Sequence, residues 1–411
     1  MSIAITVCWK SRSRRVRPAA NMKLLVYLFA LVASTMSQSN INLLMSGNDH
    51  FTAKMFQEVV KANPGENIVL SAFSVLSPLG QLALASVGES HDEILKAIGL
   101  PNDNVVKESF TNLTNQLLLE KDVELKLANR VYIRKGEVLN EQYAVVSRNV
   151  FNSDVKKVDF TQKQEAANEI NTWVEDNTKH RIKDLISSDS LDADTAAVLV
   201  NAIYFKGMWA TPFDWTGLDK FYVSKDKIID IPVMTKGGYY NYGESKELDA
   251  KLLELPYEGN RWSLLAILPN QIDGISSLIE KLSDPSVVSN AVQNMQSNEV
   301  SVTMAKFKIE TSTDLKAVLE KMNIVKLFRR NEARLDKMLK GQSNLYISKA
   351  VQKAFIDVNE FGTEAAASNA FYMPVGMSPG GNEVKDFHVD RPFYFALLLN
   401  NVITFNGIFA K

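Results

Sequence analysis

A chain of 411 residues with 46% hydrophobic content has ample material for one large core, and a net charge of −1 argues against nucleic acid or an anionic membrane as its main partner. Its single cysteine, Cys8, lies in the leader and leaves the rest of the chain without a disulfide or a cysteine-based metal site. Length alone would suggest two or three domains, but no Gly/Ser linker, low-complexity tract or internal repeat supports a split.

Residues 1–21 carry Arg12, Arg14, Arg15 and Arg17 and no acidic residue. They read either as an extension ahead of a true start at Met22 or as a basic, transit-like leader. Residues 22–37 have a positive start, a short apolar core and small residues at the end, the pattern of a secretory signal too short to span a membrane. Cleavage is expected between Ala33 and Gln38, leaving residues 38–411 as a single domain.

The first half then reads as mostly helical. Phe51 to Val60, Val75 to Val87 and Glu165 to Glu175 place apolar residues at three- and four-residue spacing, with Ser74 and Ser90 as helix-start caps. Asn112-Leu113-Thr114 is the one glycosylation sequon, on a helix or its end. The second half turns to strands at Lys251 to Leu255, Ser263 to Leu268, Val300 to Ile309 and Phe393 to Leu399, with one more helix from Asp314 to Met322. The class is α+β.

Near the C-terminus comes an unusual run, Asn359-Glu360-Phe361-Gly362-Thr363-Glu364-Ala365-Ala366-Ala367-Ser368-Asn369-Ala370, leading into a Gly/Pro/Met-rich loop. Alanine favours helix over strand, yet a glycine precedes the run and its pattern is not amphipathic. The run fits a segment exposed in one state that slides into a crowded place in another. Within the loop Gly376-Met377-Ser378-Pro379-Gly380 matches the nucleophile elbow of hydrolases in form. There the residue after the serine must donate its backbone N–H, and Pro379 has none. His50, His91, His180 and His388 are scattered without metal-ligand spacing. No catalytic residue, metal or cofactor is assigned.

The same run resembles the reactive-centre hinge of the serpins. Further motifs agree, in the family's order: Asn67 to Ser74; Leu199 to Trp209 with Phe213; Asp390 to Phe395 ending in Phe405-Asn406-Gly407. The similarity runs from about Asp49 to Lys411 and has the flavour of insect haemolymph serpins. It implies three β-sheets with surrounding helices, an exposed loop at about residues 360–390, and a secreted, monomeric inhibitor of an extracellular protease. The protease would be trapped as a covalent acyl complex when the cleaved loop inserts as a central strand. Gly362 to Ser368 would form the hinge, with Thr363, Ala365 and Ala367 inward and Glu364, Ala366 and Ser368 outward. No charge falls on the inward face, where burial would be costly, and no proline occurs before Pro374. By the same resemblance Glu360 pairs with Lys306 at the loop entrance, and Ser71, Ser74, Asn201, Trp209 and Gln352 form the shutter and breach.

Some positions depart from the family. Phe361 stands where a polar residue is usual, Gln352 where many members have histidine, and Ala72 and Ala305 replace prolines. The expected helix from Asn112 to Lys126, basic in heparin-binding members, has only Lys121 and Lys126, so no heparin site is indicated. Lys326 to Arg330 reads as a solvated helix end. Counting from Gly362 gives Gly376–Met377 as the scissile bond, or Met377–Ser378 if the hinge is one residue longer; the chemistry of Met377 favours the second. Without Lys or Arg from Phe361 to Val384, a chymotrypsin- or elastase-like target fits better than a trypsin-like one. A papain-like cysteine protease, or a non-inhibitory carrier role, are the alternatives.

Overall fold

The computed structural model describes residues 19–118, 120–341, 344–363 and 384–411, with side chains from Ser39 onward. Its strands form two hydrogen-bonded sheets. The six-stranded sheet runs in the order Phe307–Asp314, Lys349–Asn359, Gly362–Thr363, Ala197–Met208, Val123–Arg134 and Val155–Val158. The nine-stranded sheet includes Lys227–Ser245, which bonds to Trp215–Ser224, Gln296–Ala305 and Ala250–Pro256. That long strand joins two of the three expected sheets into one.

Ala197–Met208 is buried along nearly its whole length, as a central strand covered on both faces must be. It runs parallel to Lys349–Asn359 from the pair Val198/Lys349 to the pair Tyr204/Phe355. Beyond that point the two strands part. Gly362–Thr363 fills the gap as a short wedge antiparallel to both, with Thr363 opposite Val358 on one side and Gly207 on the other. Between the sheets lies an aromatic core that includes Phe205, Trp209, Tyr257, Trp262, Phe307 and Phe395, each ring contributing on the order of 2 kcal/mol by burial.

Several expectations need correction. Ser74 is not a helix cap: the helix Ala72–Ala85 is capped by Ser71, whose hydroxyl accepts from the Ser74 N–H. Ser90 lies inside the helix Glu89–Ile98, which Gly88 precedes without a side-chain cap. The expected helix from Asn112 to Lys126 ends at Leu118, and Lys126 belongs to the strand Val123–Arg134. Val300 to Ile309 is two strands in different sheets, broken at Lys306. At the N-terminus one helix covers Ala19–Ala62, through the segment read as a signal. No helix among the described residues is long and apolar enough to cross a membrane.

Candidate functional site

The seam where the parallel central strands meet carries a buried polar cluster. Gln352 and Asn201 are register partners across it, and both are fully buried. The Gln352 amide donates to Asn201 Oδ1 (2.6 Å), Ser71 O (2.8 Å) and Ser74 Oγ (3.2 Å). Asn201 donates in turn to Ser74 O at 3.0 Å and to Asn129 Oδ1 at 2.5 Å, while Ser74 Oγ donates to Asn201 Oδ1 at 2.9 Å. Ser71 Oγ reaches Thr404 O at 2.6 Å. One amide cluster thus ties three strands to the helix beneath them, with the donors and acceptors of Asn201 all used.

At the top of the sheet the chain leaving Lys349–Asn359 is held by its backbone. Trp209 Nε1 donates to Asn359 O at 2.8 Å, the Trp209 N–H to Phe361 O at 3.0 Å and the Phe213 N–H to Glu360 O at 2.9 Å. These bonds read carbonyls, so Phe361 is accommodated here without its side chain being selected. Trp209 stacks on Tyr257 at 4.4 Å, and Tyr257 Oη lies 2.6 Å from Thr363 Oγ1. Thr363 is fully buried. Gly362 approaches the neighbouring strand so closely that a Cβ there would collide with the carbonyl of Gly207, which leaves glycine as the residue that fits. Lys306 Nζ sits 2.6 Å from Glu360 Oε2, both partly exposed. Partial burial pushes the Glu360 carboxyl up, but Lys306 outweighs it and holds the group below its ordinary value.

This arrangement, two central strands zipped at one end and parted at the other by the short strand Gly362–Thr363, is accompanied by direct likeness to known proteins. A profile of the family Serpin (serine protease inhibitor) matches residues 46–411. The chain belongs to the serpin family. It is 53% identical to antitrypsin of Bombyx mori over 95% of this chain and all of that one. It is 54% identical to antichymotrypsin-2 of Bombyx mori, over 90% and 98% of the two chains. The crystal structure of Serpin48 of Tenebrio molitor, described as a highly specific serpin, superposes with a TM-score of 0.82 at 33% identity, covering 90% of this chain and 98% of that one. Serine protease inhibition is the general activity these relatives support.

One residue of this serpin's loop entrance escaped the sequence reading. Lys236 is almost wholly buried, with its ammonium 4.3 Å from the ring centre of Phe213, 4.9 Å from Tyr240 and 5.5 Å from Trp209. Its hydrogen bond is to Thr211 O at 2.9 Å. Counting back in twos from the buried Tyr242 and Tyr240 would have placed it inward. Burial pushes its pKa from 10.5 down to about 7, with Asp214 pulling partly the other way. Below about 7 both folded and unfolded chains hold the proton, and the full cost of burying the charge applies. From there to 10.5 the folded chain releases it first, so this group's contribution to stability rises with pH. Lys236→Met should therefore raise the free energy of unfolding at pH 7 and below, by up to several kcal/mol, and the gain should shrink toward pH 10. Unfolding curves of both proteins at three pH values check this.

A second prediction concerns Glu360. Its lowered pKa adds stability that is present above the ordinary carboxylate value and lost as pH falls through the folded one. Glu360→Gln should cost about 1 kcal/mol at neutral pH, little in acid, and quicken nicking near Gly362 by a non-target protease. Limited proteolysis at pH 7 and pH 4 measures it.

The remaining residues singled out in the sequence fall elsewhere. Glu364, Ala365, Ala366, Ala367, Ser368, Gly376, Met377 and Ser378 lie outside the described residues. Asn112 is half-buried on the helix Asp103–Leu118, and the hydroxyl of its sequon partner Thr114 donates to Val150 O at 3.0 Å. In the basic cluster Lys326 and Arg329 are both paired with Glu332, at 3.3 and 3.4 Å. His91 and His388 each meet an aspartate, Asp103 at 2.7 Å and Asp219 at 2.8 Å.

Proposed function

We propose that this serpin is secreted after removal of residues 22–37 and irreversibly inhibits an extracellular serine protease by cleavage and insertion of the loop at about residues 360–390. The observation that carries this reading is the wedge at Gly362–Thr363. Continued downward from Thr363, the chain would enter between Val198–Tyr204 and Lys349–Phe355. One parallel ladder would be replaced by two antiparallel ones, the stronger pairing per residue, and insertion is downhill on that account. The protease hydroxyl attacks the scissile carbonyl, the new amine leaves with its proton, and the loop remains as an ester on the enzyme. Inserting about 14 residues then moves that ester on the order of 45 Å, distorting the protease before water can release it. Inhibition is thus a partition between insertion and deacylation.

The relatives named antitrypsin and antichymotrypsin-2 are 53% and 54% identical, so overall identity does not choose the protease pocket. The loop does: without a basic residue from Phe361 to Val384 it suits an apolar or small pocket. Met377–Ser378 is the favoured bond, with Gly376–Met377 next. The test is to mix the purified protein with chymotrypsin, elastase, trypsin and papain and run denaturing gels and intact mass. A denaturant-resistant species at the summed mass with chymotrypsin or elastase is expected. The mass of the C-terminal fragment freed by denaturation picks the bond, and the mass of the intact chain reports a glycan on Asn112. A trapped species with papain would move the target to cysteine proteases. Clean cleavage by all four would overturn the inhibitor reading in favour of a carrier.

A further inference from the structure

A cavity of about 450 Å³ lies against the six-stranded sheet, beside the amide cluster of the seam. It follows a free sheet edge: Val123–Arg134 pairs with Val155–Val158 only from Val131 onward, so side chains from both faces of residues 125–130 reach it. On one face Leu125 and Leu127 line it, and the helix Asp103–Leu118 adds Phe110, Leu113 and Leu117. On the other, Lys126 and Arg130 stand beside Trp173, with the Arg130 guanidinium 4.0 Å from the Trp173 ring centre. The two faces of one strand have thus divided the cavity into an oily side and a cationic side.

The cations are not equivalent. Lys126 has Glu124 at 3.5 Å, and the one acid in the lining, Asp154, is met by Arg148 at 3.9 Å. Arg130 makes no ion pair among the described residues, and its Nε is buried without a hydrogen-bond partner. The residue as a whole is only half-buried and lines the cavity, so its fixed charge stands there without a counter-ion, and a carboxylate entering from the cavity would supply one. A planar aromatic ligand fits less well, because the Trp173 face it would stack on is already covered by the guanidinium.

The cavity also touches the seam. Ser74 and Asn129 line it, and both belong to the amide cluster around Asn201. Val123–Arg134 is locked to Ala197–Met208 from Val123/Gly207 to Ile133/Ala197, so these strands move together when a new strand enters beside them. Phe73, Ser74 and Ser77 ride instead on the helix Ala72–Ala85. The walls therefore belong to two bodies that separate on insertion.

We propose that this cavity binds an amphipathic carboxylate with an aliphatic tail, its head on Arg130 and its tail against Phe110, Leu113 and Leu117, and that occupancy slows loop insertion. The second half rests on the inhibitor reading. A ligand that fits the closed walls better than the parted ones shifts the balance toward the closed state by its difference in affinity.

The probe is dodecanoate, with dodecanol as the uncharged control, added to the full secreted chain and followed by calorimetry. Quenching of Trp173 by 2-bromododecanoate, whose bromine would sit at the head beside Arg130, gives an independent reading on the unaltered protein. Saturable one-to-one binding of dodecanoate is expected, at least about tenfold tighter than dodecanol. Arg130→Gln should lose that margin, and Leu113→Trp should abolish binding while keeping the wild-type unfolding midpoint. Equal affinity for acid and alcohol, or unchanged binding in Arg130→Gln, would overturn the site. For the coupling, the loop is nicked by a non-target protease and the gain in thermal stability is timed. Saturating dodecanoate should slow that gain at least threefold; an unchanged rate would overturn the coupling while leaving the site. No gain at all without dodecanoate would count against the inhibitor reading and not against the cavity.

Discussion

Thr363→Arg should turn this serpin from an inhibitor into a substrate. Thr363 is fully buried in the gap between the central strands, with its hydroxyl 2.6 Å from the Tyr257 hydroxyl and Trp209 stacked behind that ring. With arginine there, the wedge Gly362–Thr363 is expected to withdraw from between its two neighbours while the loop is uncleaved, carrying the guanidinium into water. To complete insertion it must pass inside, where an unpaired buried charge costs several kcal/mol. Each 1.4 kcal/mol added to the insertion barrier slows that step tenfold, while deacylation is untouched. The expected result is unchanged cleavage, loss of the denaturant-resistant complex and a stoichiometry of inhibition above about ten. Thr363→Val, which gives up one hydrogen bond and keeps the shape, should remain an inhibitor. Wild-type yield of complex from Thr363→Arg, measured by active-site titration, would mean that insertion past this residue is not what traps the protease.

The largest stability effect is expected at Asn201. Its amide donates to Ser74 O and Asn129 Oδ1 and accepts from Ser74 Oγ and Gln352 Nε2. Asn201→Ala strands those partners in a buried site, and unsatisfied groups cost about 1–3 kcal/mol each. A loss on the order of 3 kcal/mol or more is expected, seen as a lower denaturant midpoint. The damage has a direction, because Asn201 and Gln352 face one another across the ladder that the proposed insertion would open. The variant should also lose inhibitory activity on standing faster than wild type, as uncleaved loop enters the weakened seam. Equal half-lives for the two proteins would show that the cluster supports the fold without guarding the seam.

The hinge rests on chemistry that residue types carry by themselves, namely small side chains, no proline and no inward charge; of its residues only Gly362 and Thr363 are among those described. The Glu360–Lys306 contact was not legible from spacing; it needed the family resemblance, since the partners are brought together by a strand break at Lys306 that β-propensity runs straight through. Val123–Arg134 was missed because one edge of it is only partly covered, and its burial does not alternate. The long strand Lys227–Ser245 contains Pro232, Gly237, Gly238 and Gly243, which punctuate a sequence as turns do. Inside it the inward face changes phase at Val233 and Met234, both buried, and this hid Lys236. Tyr257 and Asn129 gave no local signal, as their roles come from partners more than 70 positions away.

The order of strands bears on how the protein is made. Phe393–Leu399 and Val402–Phe409 lie inside the nine-stranded sheet, between Ile68–Leu70 and Trp262–Pro269, and they bring Phe393, Phe395, Leu397 and Phe405 to the core. They are also synthesised after every other strand of that sheet. Until then the strands that flank them have no partner between them, and the rings they will cover stay open to water. The nascent chain cannot fold piece by piece as it emerges, at synthesis rates of roughly 5–20 residues per second. It must wait, exposed, for its final segment, and that wait is when chaperones matter most to it.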